Sequence, residues 1–75
     1  MKNLFCNDID GRILSVGDKV VVLDNEDIEY DVPSRGDVLR VTKLVDAESN
    51  YMEYSDEFGK FYGFFGHRIL KLNNQ

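Results

Sequence analysis

Apolar and polar residues alternate along this chain in short runs, each closed by turn-forming residues. Lys19–Leu23 (KVVVL) is β-branched and has no helical period, which predicts a strand. Gly36–Val45 (GDVLRVTKLV) is the longest run. Leu39 and Val41 alternate there, but Leu44 falls out of phase, so a bulge near Thr42 and Lys43 is expected to restore the register. Asn50–Tyr54, Lys60–Phe65 and Ile69–Leu72 read as further strands. The Asp10-Gly11 pair predicts a two-residue hairpin turn between Leu4–Cys6 and Arg12–Leu14. Ser15–Asp18, Asp46–Ser49 and Ser55–Gly59 are turns, and Gly66–Arg68 is one 3-10-like turn before the last strand. The pattern holds no amphipathic helix of useful length, repeat or linker. It predicts an all-β fold: five to six short strands in a small closed or half-closed barrel, because closure removes exposed edges.

At 75 residues the chain is expected to be one domain, with residues 73–75 a frayed tail. So small a domain buries only about 60% of the surface its unfolded chain exposes, so each large side chain matters. Val20, Val22, Leu39, Val41, Phe65 and Ile69 are the expected core. The run Lys60–Phe65 poses a choice. Alternation places Phe61, Gly63 and Phe65 on one face and Tyr62 and Phe64 on the other. With Phe65 inside, Tyr62 and Phe64 form an exposed aromatic pair, joined by Tyr51 or Tyr54, and this is the expected contact patch.

Charge divides the functional options. Asp24, Glu26, Asp27, Glu29 and Asp31 crowd the loop Asp24–Ser34, over which Ile28, Tyr30 and Val32 are expected to lie down on the barrel. The chain carries a net charge of −5. That favours a protein partner with a basic surface, met by Tyr62, Phe64, Tyr54, Glu26, Asp27 and Glu29. Nucleic acid is bound chiefly by cationic surfaces. It remains the alternative, through Arg40, Lys43, Lys60, Arg68 and Lys71 with a tyrosine for stacking. The acids of the second half, Asp46, Glu48, Glu53, Asp56 and Glu57, extend the negative surface only if their turns share one side.

Candidate chemistry is sparse. Cys6 and His67 are the only residues of their kinds, too few for a zinc site on such ligands, and no nucleophile has a base placed beside it. Cys6-Asn7-Asp8-Ile9-Asp10-Gly11 follows a calcium-loop order in part, but the twelfth position is Gly17 where a glutamate is required. The glycines at 59, 63 and 66 form no phosphate-binding pattern; Gly63 and Gly66 instead suit tight curvature or close backbone approach. These readings predict a non-enzymatic protein without cofactor or metal. The single cysteine and the lack of a long apolar run predict a cytoplasmic location away from membranes.

Three segments carry a resemblance: DGRILSVGDKVVVL, GDVLRVTKLV and FFGHRILKL. Together they resemble small SH3-like β-barrel proteins of phage and prophage genomes, over roughly Asp8 to Leu72. The resemblance implies an SH3-like barrel with a 3-10 turn before the last strand, acting as an accessory binding module in a host cytoplasm. Proline-rich peptide recognition by SH3 domains uses a tryptophan, and this chain has none.

Overall fold

The computed structural model describes residues 5–26 and 33–72. Their elements are β1 (Cys6–Asn7), β2 (Ile13–Leu14), β3 (Lys19–Val22), β4 (Val38–Asp46), β5 (Tyr51–Ser55), β6 (Phe61–Phe65), a 3-10 turn (Gly66–Arg68) and β7 (Ile69–Lys71). The fold is all-β. Five strands form one antiparallel sheet in the order β6-β5-β4-β3-β7, and β1 and β2 form a separate hairpin. Neither sheet closes on itself. A barrel of five to six strands was expected; the described residues form seven strands, five in the sheet and two in the hairpin.

That hairpin differs from the two-residue turn read from Asp10-Gly11. The Asp8 N–H donates to the Arg12 carbonyl and the Gly11 N–H to the Asp8 carbonyl (3.0 Å each). Gly11 sits at φ 81°, so the loop is a four-residue turn followed by a glycine bulge. The Asp8 carboxylate holds this wider loop. Its Oδ1 accepts from the N–H groups of Asp10 (3.0 Å) and Arg12 (2.8 Å).

The same carboxylate ties the hairpin to the large sheet, since Asp8 Oδ2 accepts from the Lys71 N–H at 2.7 Å. The Ile9 N–H donates to the Ile69 carbonyl (3.0 Å), and Lys71 Nζ reaches the Ile13 carbonyl (3.1 Å). On the far side, the Asn50 side chain accepts from the Asn7 N–H and donates to the Asn7 carbonyl, both at 2.6 Å. Asn50 adopts φ 64°, which asparagine tolerates better than most residues. The hairpin thus bridges from β7 to the β4–β5 turn and caps one face of the sheet. Gly66 permits the close approach, because a Cβ there would fall on the Asn7 carbonyl and the Met52 methyl.

The core lies between that face and the hairpin. Cys6 and Leu14 come from the hairpin; Val20, Val22, Leu39, Val41, Met52, Tyr54, Phe64 and Ile69 come from the sheet. β4 shifts register between Val41 and Lys43, where a bulge was expected, so Leu44 returns to the core side and packs partly buried against it. A second shift follows between Leu44 and Asp46.

One core assignment is corrected. Phe65 is 41% exposed, whereas Phe64 is 3% exposed. The cross-strand partners explain the choice: Phe64 lies opposite Met52, and Tyr62 opposite Tyr54, both fully buried residues. The alternative face has Gly63 at its centre, and turning it inward would leave a void where a side chain is needed. Such voids are costly in a thin core. At the acidic loop, Ile28, Tyr30 and Val32 lie outside the described residues, as do 73–75. The loop's described base is closed by Asn25 Nδ2 donating to the carbonyl of buried Pro33 (3.1 Å).

Candidate partner-binding face

The same register that buries Phe64 removes most of the expected contact patch from the surface. Tyr54 is fully buried and stacks on Phe64 at 4.3 Å between ring centroids, with 23° between planes. Its hydroxyl donates to the Phe64 carbonyl (3.4 Å), and burial pushes its phenol well above the usual tyrosine range. Tyr62 is half-buried at the edge of the core. Its hydroxyl donates to Asp56 Oδ2 (3.1 Å), and Lys60 Nζ lies 5.9 Å from its ring centroid. Loss of water and then the bond to Asp56 raise the Tyr62 phenol. The expectation that Tyr54 and Phe64 are surface anchors is therefore corrected: both are interior because β5 and β6 turn these side chains toward the hairpin.

The acidic residues fare differently. Glu26 is exposed and stands 3.9 Å from Arg35. Asp27 and Glu29 lie outside the described residues. Asp56 organises the β5–β6 turn, accepting from the Lys60 and Phe58 N–H groups at 2.9 Å each. Its carboxyl is held below the usual range, first by the Lys60 N–H.

The five cations of the nucleic-acid alternative do not form one stripe. Arg68 Nη1 binds Asp24 Oδ2 at 2.7 Å, pinning the start of the acidic loop to the 3-10 turn. Lys71 Nζ lies 3.4 Å from Asp18 and also bonds the hairpin. Lys60 sits beside Tyr62. Arg40 and Lys43 are exposed on the outer face of the sheet, Arg40 opposite Lys19 and Lys43 opposite Glu53.

That outer face carries the aromatic surface. Phe61 is 66% exposed, and Phe65 packs edge-on against half-buried Tyr51 (5.1 Å, 77°). His67 stacks on Phe65 (6.1 Å, 20°). Gly63 forms the floor between them, and the Tyr51 hydroxyl occupies the space a Cβ would take. Glu53 lies opposite Gly63. The turn bearing Asp46 and Glu48 bounds one end of the strip, and the turn bearing Asp56, Glu57 and the 86% exposed Phe58 bounds the other. The acids of the second half therefore frame the aromatic strip at both ends rather than gather on one side. Beyond β5, a shallow depression of about 420 Å³ is lined by Lys19, Val38, Arg40, Ser55, Asp56 and Glu57, among others. The signal for this face was present in the sequence as Gly63 interrupting the aromatic run. A glycine there marks the side that need not be filled.

Among the described residues, reactive groups do not converge. The Cys6 thiol is buried, contacts the carbonyls of Asp46 and Tyr51 (4.0 and 3.9 Å), and is raised by burial and by the Asp46 charge. His67 is exposed against Phe65. Among the described residues no three His, Cys, Asp or Glu side chains come together, and no helix is long and apolar enough to cross a membrane. Comparison with protein-family models, with curated proteins and with solved structures gave no match.

Proposed function

We propose that this protein is a small SH3-like barrel of the phage or prophage type, acting as a non-enzymatic binding module in a host cytoplasm. The barrel reading is supported by the hairpin that caps the five-stranded sheet: Asp8 accepts from the Lys71 N–H, the Ile9 N–H donates to the Ile69 carbonyl and Asn50 bonds Asn7 across the gap between the two sheets. Its partner is a protein with a basic surface. The observation that carries this reading is the solvent-facing strip of Phe61, Tyr51, Phe65 and His67 framed by Glu53, Glu57, Asp46 and Glu48. Large aromatics on a protein surface are the residues that most often anchor protein interfaces. Acidic residues at the rim select a basic partner and speed encounter.

The test compares capture from a host lysate by the wild type, by Phe61→Asp/Phe65→Asp and by Val16→Asp, which alters an exposed apolar residue in another turn. One protein retained by the wild type and the Val16 variant but lost by the double variant is the expected result. Its affinity should fall with salt, because exposed charges are screened over about 10 Å at 0.1 M ionic strength. Equal capture by all three refutes the assignment of the face. Micromolar binding of single-stranded RNA or DNA at physiological salt, lost in Arg40→Ala/Lys43→Ala, replaces the protein partner with the nucleic-acid alternative.

A further inference from the structure

We infer that β6 is a self-pairing edge, through which two copies of this chain join antiparallel about Gly63. β6 ends the five-stranded sheet, and among the described residues it pairs with β5 alone. Two bonds bracket that ladder in the same register: Asp56 N–H to the Lys60 carbonyl (3.0 Å) and Gly66 N–H to the Asn50 carbonyl (2.8 Å). Antiparallel pairs alternate between bonded and non-bonded. Tyr62 and Phe64 are therefore the residues bonded to β5; the N–H and C=O groups of Phe61 and Gly63 and the N–H of Phe65 point outward, while the Phe65 carbonyl accepts the first bond of the 3-10 turn. Apart from that carbonyl, none of these groups meets another backbone group among the described residues. Edge strands in monomers are commonly blunted by lysine, proline or a bulge. Phe61–Phe65 contains none of these, and its register against β5 is unbroken.

The sequence of this edge matches a second copy of itself. Phe-Tyr-Gly-Phe-Phe is nearly palindromic about Gly63. A two-fold axis at Gly63 makes Gly63 exchange both bonds with the second Gly63 and sets the Phe65 N–H against the second copy's Phe61 carbonyl; the Phe61 N–H shares the Phe65 carbonyl with the 3-10 turn. All outward groups are then satisfied in one register, as an isologous contact requires. On the outer face each Phe61 comes beside the other copy's Phe65, so two exposed rings cover two others, and the glycine leaves the centre clear. Beyond the strand, Gly59 falls opposite the second copy's His67. This brings the turn holding Glu57 toward the exposed His67 of the 3-10 turn. The net charge of −5 per chain opposes association, so salt should strengthen it. A five-residue strand is short against the ~1,000 Å² that a stable complex buries, so the dimer is a weak one. This inference stands on the backbone of β6 and is read on the protein alone, so its failure leaves the partner-binding reading untouched.

Sedimentation velocity from micromolar to millimolar protein tests it, together with amide hydrogen exchange over the same range. The expected result is a concentration-dependent dimer, stronger in salt. The amides of Phe61, Gly63 and Phe65 should gain protection as it forms, while those of Tyr62 and Phe64 are protected throughout. A mixed-labelled sample should give an intermolecular contact between the Hα protons of Tyr62 and Phe64. Phe61→Lys should weaken the dimer at least tenfold with its fold intact by circular dichroism, and Val16→Lys should not. A monomer up to millimolar concentration overturns the inference. So does a dimer indifferent to Phe61→Lys, or protection of the three outward amides that is already complete at the lowest concentration.

Discussion

Removing the Asp8 carboxylate should cost this domain a large part of its stability, although the residue lies in a hairpin loop. Asp8 is 4% exposed and accepts three backbone N–H groups, from Asp10, Arg12 and Lys71. The first two lie in the loop itself, where water can replace the carboxylate, and each is worth about 0.5–1 kcal/mol. The Lys71 N–H is different. It lies where the hairpin meets β7, and a hydrogen bond to a charged group contributes about 1.5–3 kcal/mol. Asp8→Ala should therefore cost about 3–4 kcal/mol. A domain of this size has only about 4–11 kcal/mol in total, and each kilocalorie corresponds to about 4–8 °C in melting temperature. Asp8→Asn keeps one oxygen for the loop amides but turns an N–H toward that of Lys71, so it loses the strongest of the three bonds and should cost about 1.5–3 kcal/mol. Urea titration followed by tyrosine fluorescence gives both values, and amide exchange at Lys71 localises the change. A cost below about 1 kcal/mol for Asp8→Ala, or equal costs for alanine and asparagine, refutes the role given to this carboxylate.

Neighbouring phenylalanines should behave oppositely: Phe64→Ala should cost about 3–5 kcal/mol by opening a cavity against Tyr54 and Met52, whereas Phe65→Ala should cost about 1 kcal/mol or less in the monomer. Equal denaturation midpoints for the two would place the wrong face inward. Because the Tyr54 phenol is raised in the folded protein, the unfolded chain gives up this proton first. Its stabilising contribution is fully present below the ordinary tyrosine value of about 10 and declines as pH rises beyond it; urea midpoints measured across this range should fall less steeply in Tyr54→Phe. Gly66→Ala drives a methyl into the Asn7 carbonyl and should cost at least about 2 kcal/mol; an unchanged thermal midpoint would show that the hairpin does not pack against the 3-10 turn.

Local chemistry made much of the fold legible from sequence. Val-Gly-Asp at 16–18 turns the chain because Gly17 takes φ 98° and the Asp18 side chain accepts the Ser15 N–H within the same few residues. The bulge after Val41 was legible because Leu44 breaks a period that a strand cannot otherwise repair. The 3-10 turn Gly66–Arg68 and the short strand after it were likewise visible as a break in alternation.

Tertiary structure decided what alternation leaves symmetric. Aromatic residues on both faces of β6 leave Gly63 as the one local hint, and it became decisive only against the inward Met52 and Tyr54 of β5, where an inward Gly63 would leave a void. The partners of Asp8, Arg68 and Asn50 lie 63, 44 and 43 residues away along the chain. No local pattern encodes such pairs: those of Asp8 and Asn50 form only when the hairpin folds over the sheet, and that of Arg68 only when the 3-10 turn meets the end of β3. The exposure of Phe61 and Phe65, and with it the candidate binding face, follows from that packing: once one side of β6 is spent on the core, the remaining rings have only solvent or a partner to meet.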